Sequence, residues 1–197
     1  MTTITDHADA IQAGEMVVLY LDECHLCHGD AHGYVWGPSD QRMEIAMVNE
    51  RDRQTYFGAV EPLTGEVVVM EARSGDAEWT IRFLTFLREC YAGKQLLLCW
   101  DGASYHRGHV VREYLSVCNH DHPRAKWPIT GIQFAPHAPE QNPIEHVWLQ
   151  VKSFIRKQWQ RFDGTFQTVK NLFEEAIMTL PVDFPKLHMY TSHIQLN

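Results

Sequence analysis

The sequence predicts an α/β fold in which a mixed sheet, with an antiparallel meander followed by parallel strands, is flanked by helices. Two observations predict it. Short apolar, β-branched runs come first, as in a meander, and similar runs then alternate with segments whose apolar residues recur at helical spacing. At 197 residues the chain is long enough for one domain with a sizeable core.

The strand predictions rest on short apolar runs bounded by polar or turn residues. The hairpin is the clearest, because two β-rich runs within residues 55–72 are joined through Pro62, Thr64 and Gly65. The predicted strands are MVVLYLDEC (16–24), GYVWG (33–37), the two arms of TYFGAVEPLTGEVVVMEA (55–72), KQLLLCWDG (94–102) and TGIQFA (130–135).

The helix predictions rest on helical periodicity and end signals. In residues 77–92 apolar side chains recur at positions 79, 83, 84, 86, 87 and 91, and Gly93 suits a C-terminal cap. Five of the nine prolines fall within residues 123–143, which predicts a rigid, non-helical connection. The predicted helices are AEWTIRFLTFLRECYA (77–92), HRGHVVREYLSVC (106–118), Pro143 to about Trp159, and FQTVKNLFEEAIMTL (166–180).

Composition excludes some classes of protein. No apolar stretch approaches the roughly 18 residues that span a bilayer. The N-terminus is polar and acidic, unlike a signal peptide, and the five cysteines are an odd number. These features predict a reduced, cytoplasmic protein with no membrane contact.

The net charge of −8 is unevenly distributed. Residues 1–50 contain nine acidic residues and one basic residue, which leaves 16 of each in the rest of the chain. Within that neutral remainder, residues 146–162 form a basic stripe without an acid, formed by Lys152, Arg156, Lys157 and Arg161. Such a stripe can bind phosphates, so the acidic total does not exclude nucleic acid.

Three acids are candidate metal ligands. Asp22 ends the apolar run VVLYL, Asp101 ends LLLCW, and Glu145 lies at the start of a helical segment. Carboxylates at the carboxyl ends of neighbouring strands suit Mg²⁺ or Mn²⁺, which prefer oxygen ligands. Each acid also has a structural alternative: either aspartate could cap a turn, and Glu145 could complete a capping box with Asn142 as N-cap and Pro143 as first helical residue.

Three segments resemble the motifs of DDE transposases of the mariner and related bacterial insertion-sequence type. They are LYLDE, WDGASYH, and APEQNPIEHVW, in that order, and the resemblance covers roughly residues 15–180. It implies an RNase H-like catalytic domain in which Asp22, Asp101 and Glu145 hold two divalent metal ions, Mg²⁺ or Mn²⁺. Departures are Gly102 in place of the commoner asparagine, Gln141 in place of leucine, and a long spacing between the second and third acids.

The implied activity is metal-dependent DNA cleavage at element ends, followed by transfer of the 3′ ends to target DNA. Candidate DNA contacts are His106, Asn142, Lys152 and Arg156. His106 could instead cap a helix or face solvent, and the two basic residues, four apart on one helix face, could belong to a solvated surface. Trp148 and Trp159 are predicted to be core residues rather than base-stacking platforms.

The resemblance also implies partners and a domain organisation. Residues 15–180 would form the catalytic domain, with residues 1–14 and 181–197 as terminal extensions. The helix-turn-helix modules that usually precede such a domain are absent from the sequence, so a separate helix-turn-helix polypeptide could supply them. Double-stranded DNA and a second copy of the chain, as a homodimer, are the other expected partners, in a bacterial, nucleoid-associated setting.

Two alternatives remain at this point. One is a DDE-derived nuclease or DNA-binding protein that is inactive or repurposed. The other is a zinc-stabilised interaction module, because CHLCH (24–28) contains a CxxC and His28, with His32 nearby. Stoichiometric zinc would separate the module from a Mg²⁺-dependent nuclease.

Overall fold

A computed structural model describes residues 3–32, 40, 51–102, 108–134 and 142–182. In these residues five strands form one sheet of order β3-β2-β1-β4-β5. The strands are β1 (Met16–Cys27), β2 (Arg53–Glu61), β3 (Glu66–Ala72), β4 (Gln95–Trp100) and β5 (Ile129–Gln133). The pairs β1–β2 and β2–β3 are antiparallel, whereas β1–β4 and β4–β5 are parallel, which confirms the predicted mixed sheet.

Helices lie on the sheet in the same described residues. They are α1 (Ala8–Gln12), α2 (Ala77–Cys90), α3 (His109–Asn119), α4 (Ile144–Lys157) and α5 (Phe166–Thr179). The positions of α2 to α5 agree with the sequence prediction to within a few residues, whereas α1 was not predicted. Short 3₁₀ turns cover Ile4–His7, His28–Ala31, Arg124–Lys126 and Trp159–Arg161. The strand predicted at residues 33–37 lies outside the described residues.

Both faces of the sheet are buried, because the side chains of a strand alternate between two helical layers. Val18 and Tyr20 of β1 pack in a core with α4 and α5, whereas Leu19 and Leu21 pack in a second core with α2. This explains why the central strands are near-continuous apolar runs. None of the described helices is both long enough and apolar enough to cross a bilayer.

Local end signals are visible at the start of α2 and in the predicted hairpin. The carboxylate of Asp76 accepts a hydrogen bond from the Trp79 backbone N–H at 3.0 Å and so caps α2. Gly65 has φ +75° in the β2–β3 turn, a backbone conformation that disfavours other residues.

Candidate active site

Asp22 and Asp101 lie at one level of the sheet. The parallel pairing of β1 and β4 ends at Tyr20 and Cys99, and the two aspartates each follow two residues later. The crevice beyond the carboxyl ends of parallel strands is where α/β sheets place their ligands. β1 does not stop there, however, and it extends past its predicted end at Cys24. The strand continues to Cys27 in antiparallel pairing with β2, and Asp22 itself is opposite Gly58.

The two aspartates and Glu145 belong to the same face of the sheet. Val18 and Tyr20 precede Asp22 in even steps along β1, and they pack in the core that contains the first turn of α4. Leu97 and Cys99 of β4 pack in the same core, so the alternation carries on toward Asp101. Glu145 is the acidic residue in the first turn of α4. Three elements distant in sequence therefore deliver their carboxylates to one region.

The electrostatics of this region are unfavourable without a cation. The pKa of the Asp22 carboxyl is raised to about 7, mainly by burial and also by the neighbouring carboxylates of Glu23, Glu145 and Asp101, while a backbone hydrogen bond at Glu23 opposes the rise. A carboxyl that resists ionisation because of burial and like charges is stabilised as an anion by a divalent cation. The donor set of three carboxylates therefore fits Mg²⁺ or Mn²⁺.

The three carboxylates of the candidate site are spaced apart rather than gathered as ligands of one ion. Among the described residues, no three His, Cys, Asp or Glu side chains stand close enough together to hold one ion.

Asn142 connects α4 to the central strand. Its Nδ2 donates a hydrogen bond of 2.9 Å to the carbonyl of Leu21, the residue before Asp22. The capping box considered as an alternative for Glu145 is not formed, because the residue before α4 is Pro143 and no side chain caps the helix. Because the Asn142 side chain is buried, its placement favours a tether between Glu145 and Asp22 over the predicted contact with DNA. Its Oδ1 is buried without a hydrogen-bond partner among the described residues.

Close packing of α4 on the sheet depends on Gly58, which the sequence analysis missed. A Cβ at this position would overlap the Trp148 ring and would lie 3.0 Å from Cδ1 of Ile144. Trp148 is 6% exposed and belongs to the core, as predicted. An isolated glycine inside a strand pattern indicates close approach of another element, and that was the available signal.

A second close contact occurs at Gly102, next to Asp101. The space that a side chain at Gly102 would occupy contains the amide of Gln133, whose Nε2 lies 2.5 Å from the position of a Cβ there. Gln133 is the last residue of β5 and is paired with Trp100. No local sequence signal indicated this contact, because it joins two strands 31 residues apart.

The other predicted DNA contacts have different surroundings. Lys152 donates to the carbonyl of His25 at 2.9 Å and forms an ion pair with Asp30 at 3.2 Å, so it fastens α4 to the end of β1. Arg156 is partly exposed one turn further along α4. His106 lies outside the described residues. Trp159 is 46% exposed, so its predicted place in the core is wrong.

The CHLCH segment does not form the zinc site considered above. Cys24 and Cys27 both belong to β1, where an odd separation places them on opposite faces: Cys24 is buried and Cys27 exposed. Burial raises the pKa of the Cys24 thiol to about 12, which disfavours the thiolate that binds zinc. His28 is buried, with its Nε2 3.1 Å from the carbonyl of Gly164.

Similar folds occur in solved transposases and integrases. The mariner Mos1 paired-end complex with Mg has a chain that matches at a TM-score of 0.64 and 14% identity, over 91% of this chain and 53% of that one. An intasome of simian T-cell lymphotropic virus matches at 0.57 and 11%, over 83% and 47%. The HTLV-2 integrase catalytic core in complex with magnesium matches at 0.51 and 13%, over 83% and 85%.

These similarities establish the RNase H-like fold. The present chain spans about half the length of the Mos1 and intasome chains. No curated protein matches the sequence significantly. A family model described as DDE superfamily endonuclease matches residues 17–169, which is most of the chain. The protein is therefore a member of the DDE superfamily of endonucleases.

Proposed function

We propose that this chain is the catalytic domain of a transposase, which cleaves DNA at element ends and transfers the 3′ ends to target DNA with Mg²⁺ or Mn²⁺. The observation that carries the proposal is the environment of Asp22. Its carboxyl is held near neutral pKa by burial and by Glu145 and Asp101, at the edge where β1 and β4 separate. Family membership supports nuclease chemistry at that edge.

In this proposal the three carboxylates of Asp22, Asp101 and Glu145 hold the cations. Bound divalent ions supply activation of the attacking hydroxyl and charge stabilisation of the leaving oxygen in an in-line displacement at phosphorus. Asp22 acts as an anion, so metal binding near neutral pH releases its proton. Asn142 holds the first turn of α4 at β1, and Trp148 over Gly58 fixes the approach of that helix.

The substrate follows from the same chemistry. Water is the attacking group in the cleavage step, which breaks a P–O bond and leaves a 3′-hydroxyl; that hydroxyl is then the attacking group in strand transfer. We infer that the partners are double-stranded DNA of element and target, a second copy of the chain, and a helix-turn-helix polypeptide that reads the element ends. The Mos1 paired-end complex, the intasome and the dimeric integrase core among the similar structures support the DNA and the second copy of the chain, and the helix-turn-helix polypeptide remains a proposal.

A nicking assay tests the function. Supercoiled plasmid is incubated with the protein in Mg²⁺, in Mn²⁺ and in EDTA, with Asp101→Ala as the inactive variant and Glu78→Gln, an exposed carboxylate on α2, as the control. Metal-dependent nicking that disappears only in the Asp101 variant supports the proposal. Full nicking by Asp101→Ala would refute the assigned site, and an inactive wild-type chain that still binds DNA would favour the repurposed alternative.

A further inference from the structure

The side-chain oxygen of Asn142 is a buried atom that the candidate active site leaves without a partner. The residue is 4% exposed, and its Oδ1 has no hydrogen-bond partner among the described residues. It is the one carbonyl oxygen in the set of buried side-chain atoms without a partner in the described ranges. An amide oxygen can only accept a hydrogen bond or bind a cation, so the group that satisfies it must be a donor or a metal ion.

The orientation of this amide is fixed by its other atom. The Nδ2 of Asn142 donates to the carbonyl of Leu21 at 2.9 Å. A carbonyl cannot donate, so exchanging the amide nitrogen and oxygen would set two acceptors against each other. The atom left without a partner is therefore the oxygen, and the hydrogen bond to Leu21 holds it in place.

The amide lies where β1 separates from β4. Parallel pairing of these strands ends at Tyr20 and Cys99, and Leu21, whose carbonyl accepts from Asn142, is the next residue of β1. Antiparallel pairing with β2 continues through this stretch of β1, so the β4 side is the one left open. Because Asp22 follows Leu21 directly, the Asn142 oxygen belongs to the same crevice as the candidate metal ligands.

Asn142 is also joined to the glutamate of the candidate site. Its backbone carbonyl accepts a hydrogen bond from the N–H of Glu145 at 3.2 Å. One residue thus contacts β1 through its side chain and the first turn of α4 through its backbone. The Asn142 oxygen is therefore held between the two elements that deliver Asp22 and Glu145.

The spacing of the carboxylates favours a hydrated cation at this point. Among the described residues, no three His, Cys, Asp or Glu side chains are gathered around one ion position. Mg²⁺ is usually bound by one or two carboxylates and keeps several of its water molecules. Those waters donate hydrogen bonds, and a buried carbonyl oxygen beside the carboxylates is an acceptor for one of them.

We propose that Asn142 is a positioning residue of the metal site, whose Oδ1 accepts a hydrogen bond from a water molecule bound to the divalent cation. This role rests on the proposed function, which assigns the cation to the carboxylates. The side chain then uses both of its polar atoms: Nδ2 fixes the amide to β1, and Oδ1 orients the cation's water. Loss of such an outer contact typically weakens metal binding by about 10–100-fold.

Mn²⁺ binding in the absence of DNA tests the proposal without requiring catalysis. Free Mn²⁺ is measured by electron paramagnetic resonance for wild type, Asn142→Ala, Asn142→Asp and the control Asn119→Ala. Asn119 is a matched control, because its buried amide also bonds to backbone, at Ile129, the first residue of β5. We expect Asn142→Ala to bind Mn²⁺ about tenfold more weakly. Asn142→Asp keeps an oxygen acceptor and loses the donor to Leu21, so it should bind at least as tightly as wild type, and Asn119→Ala should match wild type.

A crystal structure of the wild-type protein with Mn²⁺ gives a second measurement, which does not depend on the folding of a variant. We expect a water molecule that is bonded to the ion and lies within hydrogen-bond distance of Asn142 Oδ1. A water at this oxygen that contacts protein atoms alone, or no water there, would overturn the proposal.

Three results of the binding series would also overturn it. They are unchanged affinity in Asn142→Ala, an equal loss in Asn142→Ala and Asn142→Asp, which would leave the tether as the only role, or an equal loss in Asn119→Ala. If Asp101→Ala abolishes Mn²⁺ binding and Asn142→Ala does not weaken it, the proposal fails and the carboxylate site stands. If binding depends on both residues while the wild-type protein nicks no plasmid, the proposal stands and the proposed function fails.

Discussion

Replacing Asp22 by asparagine removes a charge that the metal-free fold tolerates poorly. The carboxyl pKa rises from 3.8 to about 7 in the folded chain, chiefly through burial. One unit of pKa corresponds to about 1.4 kcal/mol, so ionised Asp22 costs the folded state on the order of 4 kcal/mol. Asparagine has nearly the same shape without the charge, so Asp22→Asn is expected to be more stable than wild type at pH 8 without metal.

The dependence on pH follows from the direction of the change. Below about pH 4 the carboxyl is protonated in both folded and unfolded chains, so the variant and wild type should match. Between pH 4 and 7 the unfolded chain ionises while the folded chain keeps its proton, so wild type loses stability relative to the variant. Above pH 7 the difference is constant.

Urea unfolding in EDTA at pH 4, 6 and 8 measures this difference, with Asp163→Asn as the control. The Asp163 carboxylate accepts hydrogen bonds from Thr168 and Thr165, which lower its pKa to about 2, so its replacement should destabilise the fold at pH 8. Added Mg²⁺ should stabilise wild type and not Asp22→Asn. A variant no more stable than wild type at pH 8, or a gain equally large at pH 4, would refute the reasoning.

Three further predictions concern the surroundings of the carboxylates. Gly58→Ala drives a methyl group into the Trp148 ring and should lower the free energy of unfolding in urea by about 3 kcal/mol. The control Gly29→Ala, whose Cβ has its nearest neighbour at 3.9 Å, should lower it by less than about 1 kcal/mol. Similar losses in the two variants would contradict the packing account. Asn142→Ala removes the hydrogen bond to the Leu21 carbonyl and should lower the free energy of unfolding by about 1–3 kcal/mol and reduce nicking. Unaltered nicking would argue against a tether. Protein purified without chelators should contain no stoichiometric zinc by mass spectrometry, and one zinc per chain would contradict the opposite-face placement in CHLCH.

The sheet was predictable because its central strands are buried on both faces. Such strands are apolar at every position, which the runs before Asp22 and Asp101 show directly. Beyond Asp22, however, one face of β1 is open to solvent. Buried Cys24 and Leu26 there alternate with exposed His25 and Cys27. That alternation is typical of a half-buried strand, but the polar residues concealed it.

The sequence motifs pointed to the three acids of the candidate site, whose role stays a prediction, and not to the residues that support them. Each acid had a local setting that sequence motifs capture. The hydrogen bond from Asn142 to Leu21 spans 121 residues, and local capping rules predicted another role for the same side chain. Lys152 likewise belongs to a basic helical stripe in the sequence, yet its partners are His25 near the end of β1 and Asp30 in the 3₁₀ turn that follows.

Anomalous diffraction from crystals soaked in Mn²⁺ tests the central claim most directly. The account predicts anomalous density between the carboxylates of Asp22, Asp101 and Glu145, and no such density in crystals of Asp101→Ala. Mn²⁺ density elsewhere on the chain, or none at the three carboxylates at saturating Mn²⁺, would contradict it.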